Sequence, residues 1–156
     1  MIKTKKESIM YVRILPMDII EHCDKKIEDI QKDFFLKDLP SRGDNNGFGK
    51  YFYKTKGIIA NKNTPILFQY KNKIIAMATF EKRVKFQKEQ NGYSGAYYFI
   101  PETIEVFKPI DEEAICKIFN KKIIFSQTKH KLNKDFLTVF ISYLKERQGI
   151  DIITKK

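Results

Sequence analysis

Residues 64–86 read TPILFQYKNKIIAMATFEKRVKF, and the reading of this stretch decides the fold. An apolar run is followed by Lys71-Asn72-Lys73 and then by a second run rich in β-formers. Two such arms around a short turn-prone tripeptide predict a β-hairpin. In the second arm Ile74, Ala76, Ala78, Phe80, Val84 and Phe86 recur with period two and are assigned to one core face. Ile75, Met77, Thr79, Glu81, Arg83 and Lys85 fall on the other face, which begins apolar and ends charged. That gradient suits a long strand leaving the body of a sheet or barrel.

The flanking segments extend the pattern. Residues 8–15 (SIMYVRIL) read as a strand stopped by Pro16. Ile19, Ile20, Cys23, Ile27, Ile30 and Phe34 then recur at helical spacing with Asp18 as N-cap, and Pro40 closes the region. Residues 41–57 (SRGDNNGFGKYFYKTKG) read as a loop with a short strand at 50–54. Residues 87–95 (QKEQNGYSG) read as a second loop, and 96–107 as a strand, or two broken at Pro101. Residues 109–119 predict a short helix opened by Asp111, and 121–127 a short strand. A last helix starts beside Asn133, carries the stripe Phe136, Leu137, Phe140, Ile141 and Leu144, and ends at Gly149. The order β-α-β-β-β-α-β-α alternates too little for a doubly wound sheet. The expected class is α+β: a small, mostly antiparallel, partly closed β-barrel flanked by about three helices. One domain is expected over residues 1–156, with the barrel core at about 45–145 and an N-terminal strand and helix at 8–36.

The chain has 156 residues, 42% of them hydrophobic and 13% aromatic, enough for a buried core. No apolar run has the length of a membrane span, and MIKTKKESIM has no apolar region behind it as a secretory signal would. A cytoplasmic protein with no membrane partner is therefore expected. Cys23 and Cys116 each sit in an amphipathic pattern and are read as buried free thiols. Neither His22 nor His130 is spaced as a metal ligand, so no metal and no cofactor are expected.

The net charge of +11 points to a polyanionic partner, and its distribution is regional. Residues 7–40 hold eight acids and five bases, residues 50–88 ten bases and one acid, and residues 121–156 nine bases and three acids. GDNNGFGKY has the glycines of a phosphate loop, but no hydroxyl residue follows its lysine and β-like sequence comes next. Arg42-Gly43-Asp44 is too short a match to carry weight. Metal-dependent cleavage needs clustered carboxylates. Glu81 is the one acid of the basic hairpin, and Glu102, Glu105, Asp111, Glu112 and Glu113 read as a strand end and a helix start. The reading favours no catalytic residues and a binding role. In GKYFYKTKG, Tyr51 and Tyr53 share a face, Phe52 takes the other, and the lysines between them suit phosphates while a ring suits a base.

The run GKYFYKTKGIIANKNTPILFQYKNKIIAMATFEKRV resembles the PUA-like superfamily, the group that includes PUA, ASCH, EVE and YTH domains. GAYYFIPETIEVFKPI and IIFSQTKHKL are similar to a bacterial branch of it. The resemblance covers roughly residues 45–145. It implies a small β-barrel that binds RNA or DNA, in several members by reading a modified base in an aromatic pocket. Carried onto this sequence, it nominates Tyr51, Tyr53, Gln69, Ser126 and Gln127 for the pocket, and Arg42, Lys50, Lys54, Lys56, Arg83 and Lys129 for phosphates. The expected function is a non-catalytic nucleic-acid-binding domain, a modified-base reader linked to restriction or RNA modification. The alternatives are a metal-dependent nuclease and a protein-interaction module that docks through the acidic helix at 17–38. The oligomeric state is left open.

Overall fold

A computed structural model describes residues 11–20, 22–41, 47–54, 58–125, 130–148 and 153–154. Its strands are β1 (Tyr11–Pro16), β2 (Gly49–Tyr53), β3 (Pro65–Tyr70), β4 (Lys73–Gln90), β5 (Tyr93–Asp111), β6 (Lys131–Asn133) and β7 (Ile153–Thr154). They form one mixed sheet in the order β2-β5-β4-β3-β1-β6, with β7 added beside β5. The β1–β3 pair is parallel and the other pairs are antiparallel. The α+β class holds. The sheet is not closed, so the expected barrel is not shown: β2 and β6 stand at opposite edges.

The hairpin at 71–72 forms as the sequence predicts. Lys71 (φ 49°) and Asn72 (φ 63°) are both left-handed, the backbone of a two-residue turn whose twist matches the strands. The second hairpin differs from expectation. Asn91 (φ 51°) and Gly92 (φ 85°) make another two-residue turn, so the segment expected as a loop at 87–95 is mostly strand. Asn-Gly is the sequence that such turns favour, and it makes β4 and β5 arms of 18 and 19 residues.

Arms this long do not stay in one register. The β4–β5 pairing shifts between Ile74 and Ala76, Met77 and Thr79, Phe80 and Lys82, and Lys85 and Gln90. A shift frees ladder groups, and side chains take two of the gaps. Ile75 and Phe107 lie between paired positions, and the Gln31 amide donates to both carbonyls, at 2.9 and 2.7 Å. At the next shift the Thr103 hydroxyl accepts from the Thr79 N–H at 2.8 Å and donates to the Ile100 carbonyl at 2.6 Å. Pro101, which has no N–H to pair, lies in that same shift.

The shifts after Ile74 and after Phe80 also turn the following β4 side chains to the other face, whereas the one between Met77 and Thr79 leaves β4 alternating. The single face expected for Ile74, Ala76, Ala78, Phe80, Val84 and Phe86 is therefore divided. Ala76, Ala78 and Phe80 belong to one buried cluster, and Ile74 to a second across the sheet. Val84 pairs with Ala96 and lies on the face opposite Phe80, whose partner is Phe99.

Helices cover both clusters. The first helical segment, α1, comprises an α turn (Ile27–Asp29), a π-helix (Ile30–Asp38) and a closing α turn (Leu39–Ser41). It places Ile30, Phe34, Phe35 and Leu39 on the first cluster. It starts at Ile27 with Lys26 in the cap position, eight residues later than the helix expected with Asp18 as cap, because Cys23 (φ 56°) and Asp24 (φ 51°) adopt left-handed backbone. Asp18 accepts from the Ile20 N–H instead. Ile20 is exposed, and so is Cys23, which corrects its reading as a buried thiol; Cys116 is half-buried. The second cluster is covered by α2 (Glu112–Phe119), which Asp111 caps as expected, and α3 (Leu137–Gln148) with its stripe Phe140 and Leu144. Asn133 caps the 3₁₀ turn Lys134–Phe136 that leads into α3. The strand expected at 121–127 is absent from its described part, 121–125, and β6 follows at Lys131–Asn133. The N-terminal strand begins at Tyr11; the predicted positions 8–10, like Gly149, lie outside the described residues.

Replacing Gln31 by Leu keeps its bulk and orphans two carbonyls. Stability should fall by about 1–3 kcal/mol, read from urea unfolding. An unchanged midpoint would show that water closes the β4–β5 shift as well as this side chain does.

Candidate nucleic-acid interface

The sequence-nominated residues divide between two faces and two edges of the sheet. Tyr51 and Tyr53 pair with Tyr97 and Gly95, and both are core residues, 6% and 7% exposed. Tyr51 packs against Phe34, Phe68, Tyr97 and Phe99. Tyr53 stacks on Tyr97 at 4.6 Å, and its hydroxyl occupies the space a side chain at Gly95 would need. These rings hold the fold and are not available for a base to stack on, which corrects their nomination. Gln69 is also buried and lies elsewhere. It donates to the Phe125 carbonyl at 3.2 Å and accepts from the Asn72 N–H at 3.0 Å. Phe125 belongs to the second cluster, across the sheet from Tyr51 and Tyr53. Arg83 is exposed, opposite Tyr97, on the face of the first cluster. Arg42, Lys56, Ser126, Gln127 and Lys129 lie outside the described residues.

Lys50 and Lys54 are brought together with residues the sequence reading passed over. Across β2, β5 and β4, Lys50 pairs with Tyr98, Tyr98 with Lys82, Phe52 with Ala96, and Ala96 with Val84. Paired residues share a face, so Lys50, Phe52, Tyr98, Lys82 and Val84 form one surface, opposite Tyr51, Tyr53 and Tyr97. Phe86 and Tyr93 join it through their rings, 6.4 and 5.1 Å from that of Phe52. Phe52, Val84, Phe86 and Tyr93 are half-buried. The lysines lie over the rings. Lys50 Nζ is 5.4 Å from the Phe52 centroid and 5.7 Å from that of Tyr98, Lys82 Nζ is 5.1 Å from Tyr98, and Lys54 Nζ is 5.7 Å from Tyr93. These are cation–π distances, and Tyr98, beneath Lys50 and Lys82, is itself buried at 6% exposed, so the rings open on this face are Phe52, Phe86 and Tyr93.

The electrostatics of this surface are one-sided. Residues 49–54, 82–88 and 93–99 contain six cations and no acid. Glu81 is drawn aside into an ion pair with Lys62 at 3.5 Å. Of the acids at the start of α2, Asp111 caps the helix, Glu112 accepts from the Phe125 N–H at 2.8 Å, and Glu113 lies exposed, 4.0 Å from Lys117. Among the described residues no group of three or more His, Cys, Asp or Glu side chains is placed to hold a metal ion. No helix among them is long and apolar enough to cross a membrane.

The two lysine-rich tracts do not form one cleft along the sheet, since β2 and β6 are its opposite edges. Uncharged residues of the 58–64 segment face β1 and β6 across a small cavity of about 230 Å³, where Lys131 is the one lysine among the described lining residues. Arg13 is 8% exposed there and donates to the His130 carbonyl at 3.0 Å and the Ile59 carbonyl at 2.8 Å. Burial lowers its pKa and the nearby Tyr97 opposes the shift, but a guanidinium remains charged. Tyr97 is pushed up to about 12, chiefly by burial, against the Ile58 N–H that bonds its oxygen at 2.6 Å.

Two signals in the sequence pointed to the ribbon surface. Asn91-Gly92 predicts a two-residue hairpin, and that hairpin sets Phe86 and Tyr93 on facing arms. The alternation Lys50-Phe52-Lys54 lies on the face of β2 that the tyrosine reading left aside.

Comparison with protein-family models, with curated proteins and with solved structures finds no match.

Two outcomes check these placements. Tyr51→Ala should cost about 3–5 kcal/mol of stability, as for other large rings cut from a core; full stability in urea would return Tyr51 to the surface. Tyr97 has a folded pKa raised above the ordinary 10.0, so the unfolded chain releases its proton first. Its contribution is complete below about pH 10 and is lost as pH rises toward 12. The unfolding midpoint of Tyr97→Phe should therefore fall less between pH 9 and 12 than that of the parent.

Proposed function

We propose that this chain is a non-catalytic nucleic-acid-binding domain and that its contact surface is the ring-and-lysine face of β2, β5 and β4. One observation carries the reading: Lys50, Lys54 and Lys82 share one sheet face with the half-buried rings of Phe52, Phe86 and Tyr93, in strand segments (residues 49–54, 82–88 and 93–99) that hold no acid. Ammonium groups neutralise phosphates and release counterions. Half-buried rings stack on bases irrespective of sequence, which favours single-stranded nucleic acid. The likeness to PUA-like domains enters as a strand pattern, β3, tight turn and β4. The modified-base reading is narrower: with Tyr51 and Tyr53 in the core, a base would be read on this face, not in a cage of those rings.

Anisotropy titration against single-stranded and duplex oligonucleotides tests the proposal. Affinity for single strands should exceed that for duplex, and its logarithm should fall linearly with the logarithm of salt. Replacing Lys50, Lys54 and Lys82 by Gln should weaken every sequence and reduce the salt slope by about 2. Phe52→Ala should cost about 1–3 kcal/mol. Absence of binding at low salt, or binding that the triple replacement leaves intact, overturns the assignment.

A further inference from the structure

The cavity of about 230 Å³ where the 58–64 segment faces β1 and β6 lies towards the sheet edge opposite β2, and it holds polar groups that the fold leaves unused. We propose that it binds the uncharged ring of a nucleobase. The choice of a base among planar rings rests on the nucleic-acid reading of the ribbon surface, while the pocket stands on its own residues.

Arg13 builds the walls of this pocket. Its guanidinium donates to the Ile59 carbonyl at 2.8 Å and the His130 carbonyl at 3.0 Å, and a further interaction engages it as well. The two bonds tie the 58–64 segment, and the residue before β6, to β1. Three stretches of chain are thus fixed around one volume, and the pocket is formed before a ligand arrives.

Thr64 and Asn61 supply the hydrogen bonds. Thr64 is 2% exposed, its N–H donates to the Asn61 carbonyl at 3.1 Å, and its carbonyl accepts from the Phe80 N–H at 2.9 Å. Its hydroxyl has no hydrogen bond among the described residues, and neither has the exposed side-chain amide of Asn61. A hydroxyl buried without a partner is destabilising, and folded proteins leave few of them. Both groups donate as well as accept. An anion, which only accepts, would use half of that capacity. A base edge carries donors and acceptors together and matches both halves.

The rest of the lining suits a flat apolar ring. Tyr11 is 39% exposed and Ile59 73%. Large apolar side chains exposed together at a cavity point to a ligand, as scattered ones do not. A ring stacked on Tyr11 covers surface that is otherwise wet. No described lining residue is an acid, so nothing there selects a cation. The volume suits one base and falls below the pockets of larger ligands, which begin at about 300 Å³.

The base comes either from a free nucleoside or from a strand, and the experiment separates them. The full chain is titrated by NMR with adenosine, guanosine, cytidine and uridine, with ribose as the control that lacks a base. At least one nucleoside should shift the signals of residues 59–64 and 131, and ribose should not. Thr64→Val keeps the shape and removes the hydroxyl. It should unfold at the same or a higher temperature than the parent and weaken nucleoside binding several-fold. Asn61→Ala, at an exposed position, should weaken it too without loss of fold. A single-stranded oligonucleotide is then titrated by anisotropy. Several-fold weaker binding in Thr64→Val assigns the pocket to a base of the strand, and unchanged oligonucleotide affinity beside weakened nucleoside binding assigns it to free nucleosides. Nucleoside binding that both variants leave undiminished overturns the proposal. So does absence of nucleoside binding together with oligonucleotide affinity that Thr64→Val does not change. Replacing Lys50, Lys54 and Lys82 by Gln should leave nucleoside binding as it is. A chain that binds nucleosides but no oligonucleotide therefore keeps this pocket and loses the ribbon surface.

Discussion

The register shifts between β4 and β5 are the constraint on which the rest of this structure depends. An antiparallel pair of this length in perfect register would carry one continuous apolar face and one polar face. Here the pairing slips instead, and the slips after Ile74 and after Phe80 exchange the faces of β4. Ile75 and Ala76 can then serve one cluster while Ile74 serves the other, and the sheet is sandwiched by α1 on one side and by α2 and α3 on the other. The slips leave backbone groups out of the ladder, which inside a protein costs about as much as a lost hydrogen bond. Gln31 and Thr103 answer that cost with side-chain bonds of ladder geometry. Because Gln31 comes from the π-helix of α1, the same two bonds also fix where that helix sits on the sheet.

The shift between Phe80 and Lys82 bears most on the proposed contact surface. Before it, β4 contributes Phe80 to the core beside Phe99. After it, Lys82 stands opposite Tyr98 on the other face, and Val84 and Phe86 follow. Strictly alternating backbone would have set Lys82 against the core rings. The slip turns it over, and the charged half of β4 meets Lys50 and Phe52 of β2. Core and proposed contact surface are thus the two sides of one three-stranded ribbon, with Tyr51, Tyr53 and Tyr97 on one and Phe52, Phe86 and Tyr93 on the other.

Much of the fold was legible because it is local. The Lys71-Asn72 turn, the Asp111 cap and the Asn133 cap are short-range devices whose residue types name them. The α3 stripe follows from period alone. What failed was of longer range. Period-two reading of β4 assumed a constant register, and nothing in the residues of one strand declares where its partner slips. The helix expected from Asp18 has the right apolar spacing, but the left-handed backbone at Cys23 and Asp24 delays it to Ile27. The choice of Tyr51 and Tyr53 over Phe52 is the same problem on β2. An alternating strand offers two faces, and composition does not say which one the core will cover. Here Phe34 and Phe68 pack on Tyr51 and Tyr97 stacks on Tyr53, and the phenylalanine, the less polar ring, is left half-buried.

A half-buried phenylalanine beneath a lysine is stable without ligand, and its energetics bear on the proposed reading. An exposed cation–π contact contributes about 0.5–1 kcal/mol. A base stacked on the same ring contributes about 1–3 kcal/mol. Ring for ring, then, a base displaces an ammonium group favourably. The displaced lysine does not return to bulk water, because the phosphate that accompanies each base lies within reach of its flexible stem. One exchange converts a cation–π pair into a base stack and a phosphate contact, and it releases a counterion from the strand. Duplex nucleic acid gains only the phosphate half, since its bases are already stacked on one another. The interleaving of lysines and rings, not the excess of positive charge, is therefore what would make this surface prefer an unpaired strand.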